Sequence, residues 1–268
     1  MSVFAHMSSI NGRLHEGPYI LCKKNENVVA SHCFLHREAL MAKTLGDNLR
    51  EVLNQAVKPV NYIKTRPVKS RLFEQLCSSM DSQHKRLLLH TEVRWLSKGK
   101  VLNRVYELRQ ELLKFFEEIK QKHFCEFLRC ESWLSKLAYL ADIFQHLNIL
   151  NVTMQGSEEN ILTSTDKMKT FQKKLLIWKR KASEGDLEMF TLISKASVND
   201  TLPMIIEHLT NLEANLKYYF PSLNPEEHDW IRNPFIEISD DARVSLTLTE
   251  EEELACIFTD GSLKIKYK

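Results

Sequence analysis

Apolar residues recur at helical spacing through most of this chain. The spacing is most regular at Val101, Val105, Leu108, Leu112, Phe115 and Ile119, which stand four, three, four, three and four residues apart. Such alternation is the seam of a helix bundle or coiled coil, and charged residues fill the other face of the segment from Lys100 to Lys122. A chain patterned this way folds as helices. The helical period begins at Cys33, and Leu35, Ala39, Leu45, Leu49, Val52, Leu53, Val57 and Val60 fall broadly on one face. A kink is expected at Pro59 and an end at Pro67. Ser70 is expected to cap a short helix through Met80. Further helices are predicted over Trp133 to Met154, closed by Gln155-Gly156, over Glu159 to Ala182, stopped near Gly185, and from Thr201 or Pro203 to Phe220, stopped by Pro221. Thr249 followed by four Glu reads as the cap and first turn of a last short helix. No repeat of fixed period is present, which excludes solenoid architectures.

The two ends read differently. Before Cys33 only Tyr19 to Cys22 and Val28 to Ala30 resemble short strands, too few for a sheet of their own. After Pro225 the chain becomes acidic and irregular. The expected organisation is therefore a short β segment over 1–32, a helical domain over 33–222 and an acidic C-terminal segment over 223–268. At 268 residues, 43% hydrophobic and 27% charged, the chain can bury a sizeable core. Its 7 Gly and 7 Pro leave little material for Gly-rich phosphate loops or low-complexity linkers. The net charge of +2 hides a split, because Lys64 to Arg104 carries 10 basic and 3 acidic residues while Asn224 to Glu253 carries 2 basic and 10 acidic. The first stretch suits nucleic acid and the second does not. Six irregularly spaced Cys give no disulfide framework and suit a reducing compartment. No apolar run approaches the roughly 18 residues of a membrane span, and the N-terminus lacks a signal peptide's charged and apolar regions, so an intracellular protein is expected.

Four features could carry chemistry. Cys33 and His36 form a Cys-x-x-His step at the start of the helical region. As a zinc half-site it would need two further ligands, and His84, His90, His123, Cys125 and Cys130 show no paired zinc-finger spacing. A buried Cys and a capping His are the plainer reading, and neither a metal nor a cofactor is expected. The second feature, HTEVRWLS over His90 to Ser97, lies inside the basic stretch. An indole beside an arginine can stack on an unpaired base while the guanidinium holds phosphate. Flanked by Val93 and Leu96, the same indole can equally well pack in a core. The third, Lys173 to Lys181, interleaves five basic residues with apolar ones. It reads as an amphipathic helix with a solvated basic face, or as a nuclear localisation signal. The fourth, WIRNPF over Trp230 to Phe235, is an aromatic knot expected to pack against the bundle. No Gly-x-Ser-x-Gly elbow, phosphate loop or His-Glu-x-x-His motif is present.

At SHCFLHREAL (Ser31 to Leu40) and LLLHTEVRWLS (Leu87 to Ser97) the sequence resembles the hAT superfamily of DNA transposases, closest to vertebrate domesticated members of the BED-type zinc-finger, Buster and Charlie kind. The Cys-x-x-His step and the Arg-Trp-x-Ser step are separated by 59 residues from His36 to Trp95, and WIRNPF also resembles these proteins. The resemblance covers nearly the whole chain. It implies a mainly α fold, the helical insertion domain of a hAT transposase, preceded by a short β remnant of the ribonuclease-H-like core.

The resemblance also implies roles. Cys33 and His36 match the motif whose His lies near the active site and positions the transposon end, and Trp95 matches the tryptophan that stacks on distorted DNA. Cys33, His36, Arg94, Trp95, Lys98 and Lys100 are the DNA-binding residues that the resemblance implies, and Lys85 and Arg86 of the basic stretch join them as expected contacts. Catalysis in that family needs three carboxylates holding two metals. Ala5 falls where one Asp would stand, and the other two carboxylates would lie upstream of Met1 and beyond Lys268. The expected protein is therefore no enzyme but a catalytically inactive, transposase-derived nuclear protein that associates with DNA. Alternatives are a protein-interaction or dimerisation module using the Val101 to Ile119 seam or the acidic C-terminal segment, and a degenerate fragment without selected activity.

Overall fold

The computed structural model describes residues 45–88, 95–155, 161–195, 200–219, 233–237 and 246–267, together with the backbone of four short strands within residues 1–32. The chain divides into two compact units. One comprises Arg37–Glu159 and Lys167–Tyr219, and the other Met1–His36, Asn160–Asp166 and Phe220–Lys268.

The first unit is helical. Its α1 spans Asp47–Lys64 and turns Leu49, Val52, Leu53, Ala56, Val60 and Ile63 inward. The helix runs through Pro59, itself buried, and stops where Thr65 Oγ1 donates to the Asn61 carbonyl at 2.7 Å. Pro67 opens α2 (Pro67–Ser79) rather than merely closing what precedes it, since a proline's fixed φ and missing N–H suit a first helical position. The expected start at Ser70 is thus one turn late.

The regular seam proves to be two helices, α3 (Trp95–Glu107) and α4 (Arg109–Glu118). The break is Leu108, whose φ of −94° and ψ of 20° leave the helical range. Its N–H still donates to Arg104 O at 3.1 Å, and its carbonyl still accepts from Leu112 N at 2.8 Å. The apolar period therefore passes through the break undisturbed. Lys120, at φ 57°, then turns the chain into α5 (Lys122–Leu128). Val101, Val105, Leu108, Leu112 and Phe115 are all 2% exposed or less, and Ile119 is half-buried at the end of α4. The seam expected to meet a partner is consequently filled by the chain's own helices. Phe115 stands edge-on to Phe73 of α2 with ring centroids 5.4 Å apart, and Phe116 lies 4.4 Å from Phe124 of α5.

At the centre is α6 (Glu131–Thr153), in which every residue from Leu137 to Phe144 is buried. A helix apolar on all sides belongs in a core. Against one side lies α3, close enough that a Cβ added to Gly99 would stand 3.2 Å from the carbonyl oxygen of Phe144. Trp133 Nε1 donates to Gln55 Oε1 of α1 at 2.7 Å. Against another side lie α7 (Ile161–Ser183) and α8 (Leu202–Tyr219). His146 stacks near Trp178 at 4.4 Å, Tyr139 meets Phe190 edge-on at 5.2 Å, and the Tyr139 hydroxyl shares a 2.7 Å hydrogen bond with His208 Nδ1. The α7 helix closes at Gly185, whose φ of 81° favours glycine and lets Asp186 N donate back to Lys181 O at 2.9 Å. The next turn is held by the buried Asp142 of α6, whose carboxylate accepts from Leu192 N at 2.9 Å and Ile193 N at 3.1 Å.

Along α7 the basic run is amphipathic. Leu175 and Trp178 point inward, Lys173, Lys174 and Arg180 are exposed, Lys179 is bonded to Glu213 of α8, and Lys181 pairs with Asp186 at 2.9 Å. Leu176 and Ile177 also face solvent.

In the second unit β1 (Phe4–Met7) pairs in parallel with β4 (Val29–His32), and β2 (Ser9–Ile10) pairs antiparallel with β3 (Arg13–Leu14). These short pairs do not establish a ribonuclease-H-like sheet. The strand expected at Tyr19 to Cys22 lies outside the described residues. Of the WIRNPF knot, Trp230 to Arg232 also lie outside them, and Asn233 Oδ1 accepts from Phe235 N at 3.1 Å. Two helices follow, α9 (Leu248–Thr259) and α10 (Gly261–Tyr267). The cap of α9 is Thr247, not Thr249. Glu250 N donates to Thr247 Oγ1 at 3.4 Å while the Glu250 carboxylate accepts from Thr247 N at 2.9 Å, a capping box that requires Glu at the third helical position. Among the described residues no helix is long and apolar enough to cross a membrane.

Candidate nucleic-acid interface

Between α2 and α3 the chain lies extended along the helix that follows. Asp81, with φ 53°, makes the turn out of α2. Ser82 Oγ then donates to Glu111 Oε1 at 2.5 Å, His84 Nε2 lies 3.5 Å from Glu107 Oε2, and Arg104 Nη1 donates to the Arg86 carbonyl at 2.9 Å. These contacts step backwards from α4 into α3 as the segment advances, so Ser82–Leu88 runs antiparallel to α3. Leu87, 3% exposed, pins it by burial.

From the opposite side Arg86 ties the segment to α2 through a 2.8 Å bond to Glu74. That guanidinium holds the Glu74 carboxyl below its usual range, and the carboxylate in turn raises Arg86. Lys85 and Arg86 are exposed on the segment, and Lys100 is exposed on α3 one turn before the anchoring Arg104. Further cations are committed to a ring. Lys69 Nζ sits 3.7 Å and the Arg66 guanidinium 4.4 Å from the centre of Tyr62.

Of the residues expected to touch DNA, Trp95 is the first residue of α3, and Lys98 follows one turn later on the same helix, each described through its backbone. Lys100 is exposed between the buried Gly99 and Val101. Cys33, His36 and Arg94 lie outside the described residues. The structure thus brings Lys85, Arg86 and Lys100 to the neighbourhood of one helix and adds Arg104, which the sequence reading did not single out. Its signal was present, as Lys100 and Arg104 stand four apart, one turn of helix. The arrangement is an open, cation-bearing ridge, suited to phosphate contact rather than to enclosing a small substrate.

Over residues 32–183 the chain matches the family model of the FAM200/GTF2IRD2 helical domain, more than half its length. The chain belongs to the FAM200/GTF2IRD2-like family. This family's helical domain is transposase-derived. The match takes in α1 to α7 and the whole ridge, and it ends at Ser183, the last residue of α7. The compact helical unit continues to Tyr219, because α8 supplies His208 to the buried Tyr139. No solved structure matches the chain.

Proposed function

We propose that this FAM200/GTF2IRD2-like chain is a catalytically inactive, transposase-derived nuclear protein of hAT descent that associates with DNA through the ridge formed by Ser82–Leu88 and α3. One observation carries the reading: the extended segment is fastened to α3 by the Arg104 to Arg86 bond, which sets the exposed Lys85 and Arg86 beside the helix that bears Trp95, Lys98 and Lys100. Backbone phosphates meet cations carried on a fastened segment and a helix, so little backbone entropy is lost on binding. Trp95, at the start of α3, supplies a stacking surface for an unpaired or distorted base.

Descent from an insertion domain within a ribonuclease-H-like core is supported by the parallel pairing of β1 with β4, which needs a crossover connection. Inactivity is supported by Ala5, on β1, where the resemblance calls for a metal-binding Asp. The test is fluorescence anisotropy with labelled hairpin, single-stranded and duplex DNA over salt from about 50 to 200 mM, in which phosphate contacts give a steep slope. A steep slope with preference for distorted or unpaired DNA supports the reading. Absence of binding at low salt refutes it. Incubation with Mg²⁺ and supercoiled DNA should leave the DNA uncut.

A further inference from the structure

Where the start of α1 meets α8, both helices line a cleft of about 340 Å³. From α8 it takes Met204, Glu207, His208 and Asn211, whose spacing puts them on one helical face. From α1 it takes the N-cap Gly46 and the first turn. Gly46 has no side chain with which to cap the helix, and the first bond along α1 runs from Arg50 N to Gly46 O at 3.0 Å. The N–H groups of Asp47, Asn48 and Leu49 therefore have no acceptor among the described residues.

What sets this helix start apart is the histidine facing it. His208 is 5% exposed, and its Nδ1 lies 2.7 Å from the Tyr139 hydroxyl. Tyr139 is completely buried, so its hydroxyl hydrogen goes to Nδ1, which assigns the ring proton of His208 to Nε2. Nε2 has no partner among the described residues, yet it is not sealed in the core. The wholly buried side-chain atoms left unpaired there are Asn103 Oδ1, Glu111 Oε2 and Asn151 Oδ1. Nε2–H thus opens into the cleft that the ring lines, and burial, which lowers the ring to about 4, keeps it a neutral donor. Every unspent group named so far is a donor, so the occupant must supply acceptors. Charge narrows the choice. Asp47 and Glu207 stand exposed at the rim and disfavour a doubly charged phosphate, whereas the positive end of α1 offsets a single negative charge.

We propose that this cleft binds a carboxylate group, one oxygen accepting from the first-turn N–H groups of α1 and the other from His208 Nε2–H. Met204, half-buried in the lining, supplies apolar surface for the carbon skeleton behind the carboxylate. The site uses no residue of the ridge and stands whether or not the ridge binds DNA.

Titration of the isotope-labelled full chain with acetate at constant ionic strength, followed by nitrogen-detected and amide NMR, tests this. The amides of Asp47, Asn48 and Leu49 and the His208 ring nitrogen should shift together and saturate with one dissociation constant between about 1 and 50 mM. Gly46→Asp delivers a carboxylate to the same N–H groups from within the chain, and a Cβ there meets no atom within 4 Å. It should weaken acetate by about tenfold or more, whereas Gly46→Ala, which adds no carboxylate, should bind as the wild type does. Inorganic phosphate should bind about tenfold more weakly than acetate at the same ionic strength. Acetyl-dialanine with a free C-terminus separates the sources of the carboxylate. Tighter binding than acetate assigns the cleft to a peptide C-terminus, equal binding to a free small acid, and its C-terminal amide should bind in neither case. Shifts that stay linear to about 100 mM overturn the proposal, as do shifts of the α1 amides without the His208 ring. So do a Gly46→Asp chain that binds acetate like the wild type, phosphate as tight as acetate, and binding of the amide.

Discussion

Arg104 reaches from α3 to the carbonyl oxygen of Arg86 at 2.9 Å, fixing an extended segment to a helix by one side chain. The same guanidinium bonds Glu107 one turn on at 3.1 Å, so its orientation is set before it meets the segment. If positioning is its task, Arg104→Lys should loosen Ser82–Leu88 although the charge is kept, because an ammonium lacks the planar fork. Amide exchange in residues 85–88 should quicken, stability should fall by about 1 kcal/mol, and DNA affinity should drop as well. Wild-type exchange in Arg104→Lys would show that Leu87 and the Ser82–Glu111 and Arg86–Glu74 contacts hold the segment without the Arg104 fork.

The exposed cations make a separate, graded prediction. Lys85→Gln and Lys100→Gln remove one positive charge each from side chains that face solvent, so the fold should be untouched. Each should flatten the dependence of log affinity on log salt by about 0.7 to 0.9 and weaken binding to all DNAs alike. Trp95→Ala should leave the slope alone and weaken single-stranded or distorted DNA by about tenfold, duplex less. A Trp95→Ala loss equal for all DNAs would remove the stacking role.

The helical class and most helix positions were legible in the sequence because burial imposes its period directly on residues such as Val101, Val105 and Leu112, and the transposase-derived character was legible in the motifs around Cys33 and Trp95. What escaped was set by single backbone positions. Leu108 leaves the helical range while keeping its apolar place in the seam, so periodicity alone runs straight through the break. Thr249 precedes the run of Glu, but Thr247 stands three residues before Glu250, and that spacing decides the cap. The seam's resemblance to a dimer interface misled for a related reason, since a buried stripe reads the same whether the neighbouring helix belongs to the chain or to a partner. The ridge was legible as charge and illegible as geometry. Nothing in the residue types says that Arg86 turns its carbonyl toward Arg104.

Asp142 is a buried carboxylate with a purely architectural task. Burial pushes its carboxyl above the usual range, against the hydrogen bonds from Ile193 and Leu192 that favour the charged form. Asp142→Ala would strand two backbone N–H groups, one of them fully buried, and should cost about 2 to 4 kcal/mol in urea unfolding. Thr191→Ala removes only a 3.5 Å contact to the same carboxylate and should cost about 0.5 kcal/mol or less. Equal costs for the two would mean that the turn after α7 is held by apolar packing of Phe190 and Ile193 instead.

His208 should make the protein's stability depend on pH over a defined window. Burial lowers its ring from the ordinary 6.5 to about 4, so the ring stays neutral in the fold where the unfolded chain would protonate it. Between those two values the unfolded state binds more protons, and stability must fall as pH falls, by about 3 kcal/mol at the acid end. Above pH 6.5 both states are neutral at this ring and its contribution is constant. Asp142, raised by burial, acts in the opposite sense, its contribution being lost as pH rises through its folded value, so the wild-type slope is a sum. His208→Gln isolates the histidine and should remove the acid-side loss. Tyr139→Phe should cost about 1 to 3 kcal/mol by stranding Nδ1, yet keep the slope, because burial rather than the hydroxyl depresses the ring. Denaturant titrations at half-unit steps from about pH 4 to 8 read both effects at once. A His208→Gln protein with the wild-type slope would assign the acid sensitivity to another group.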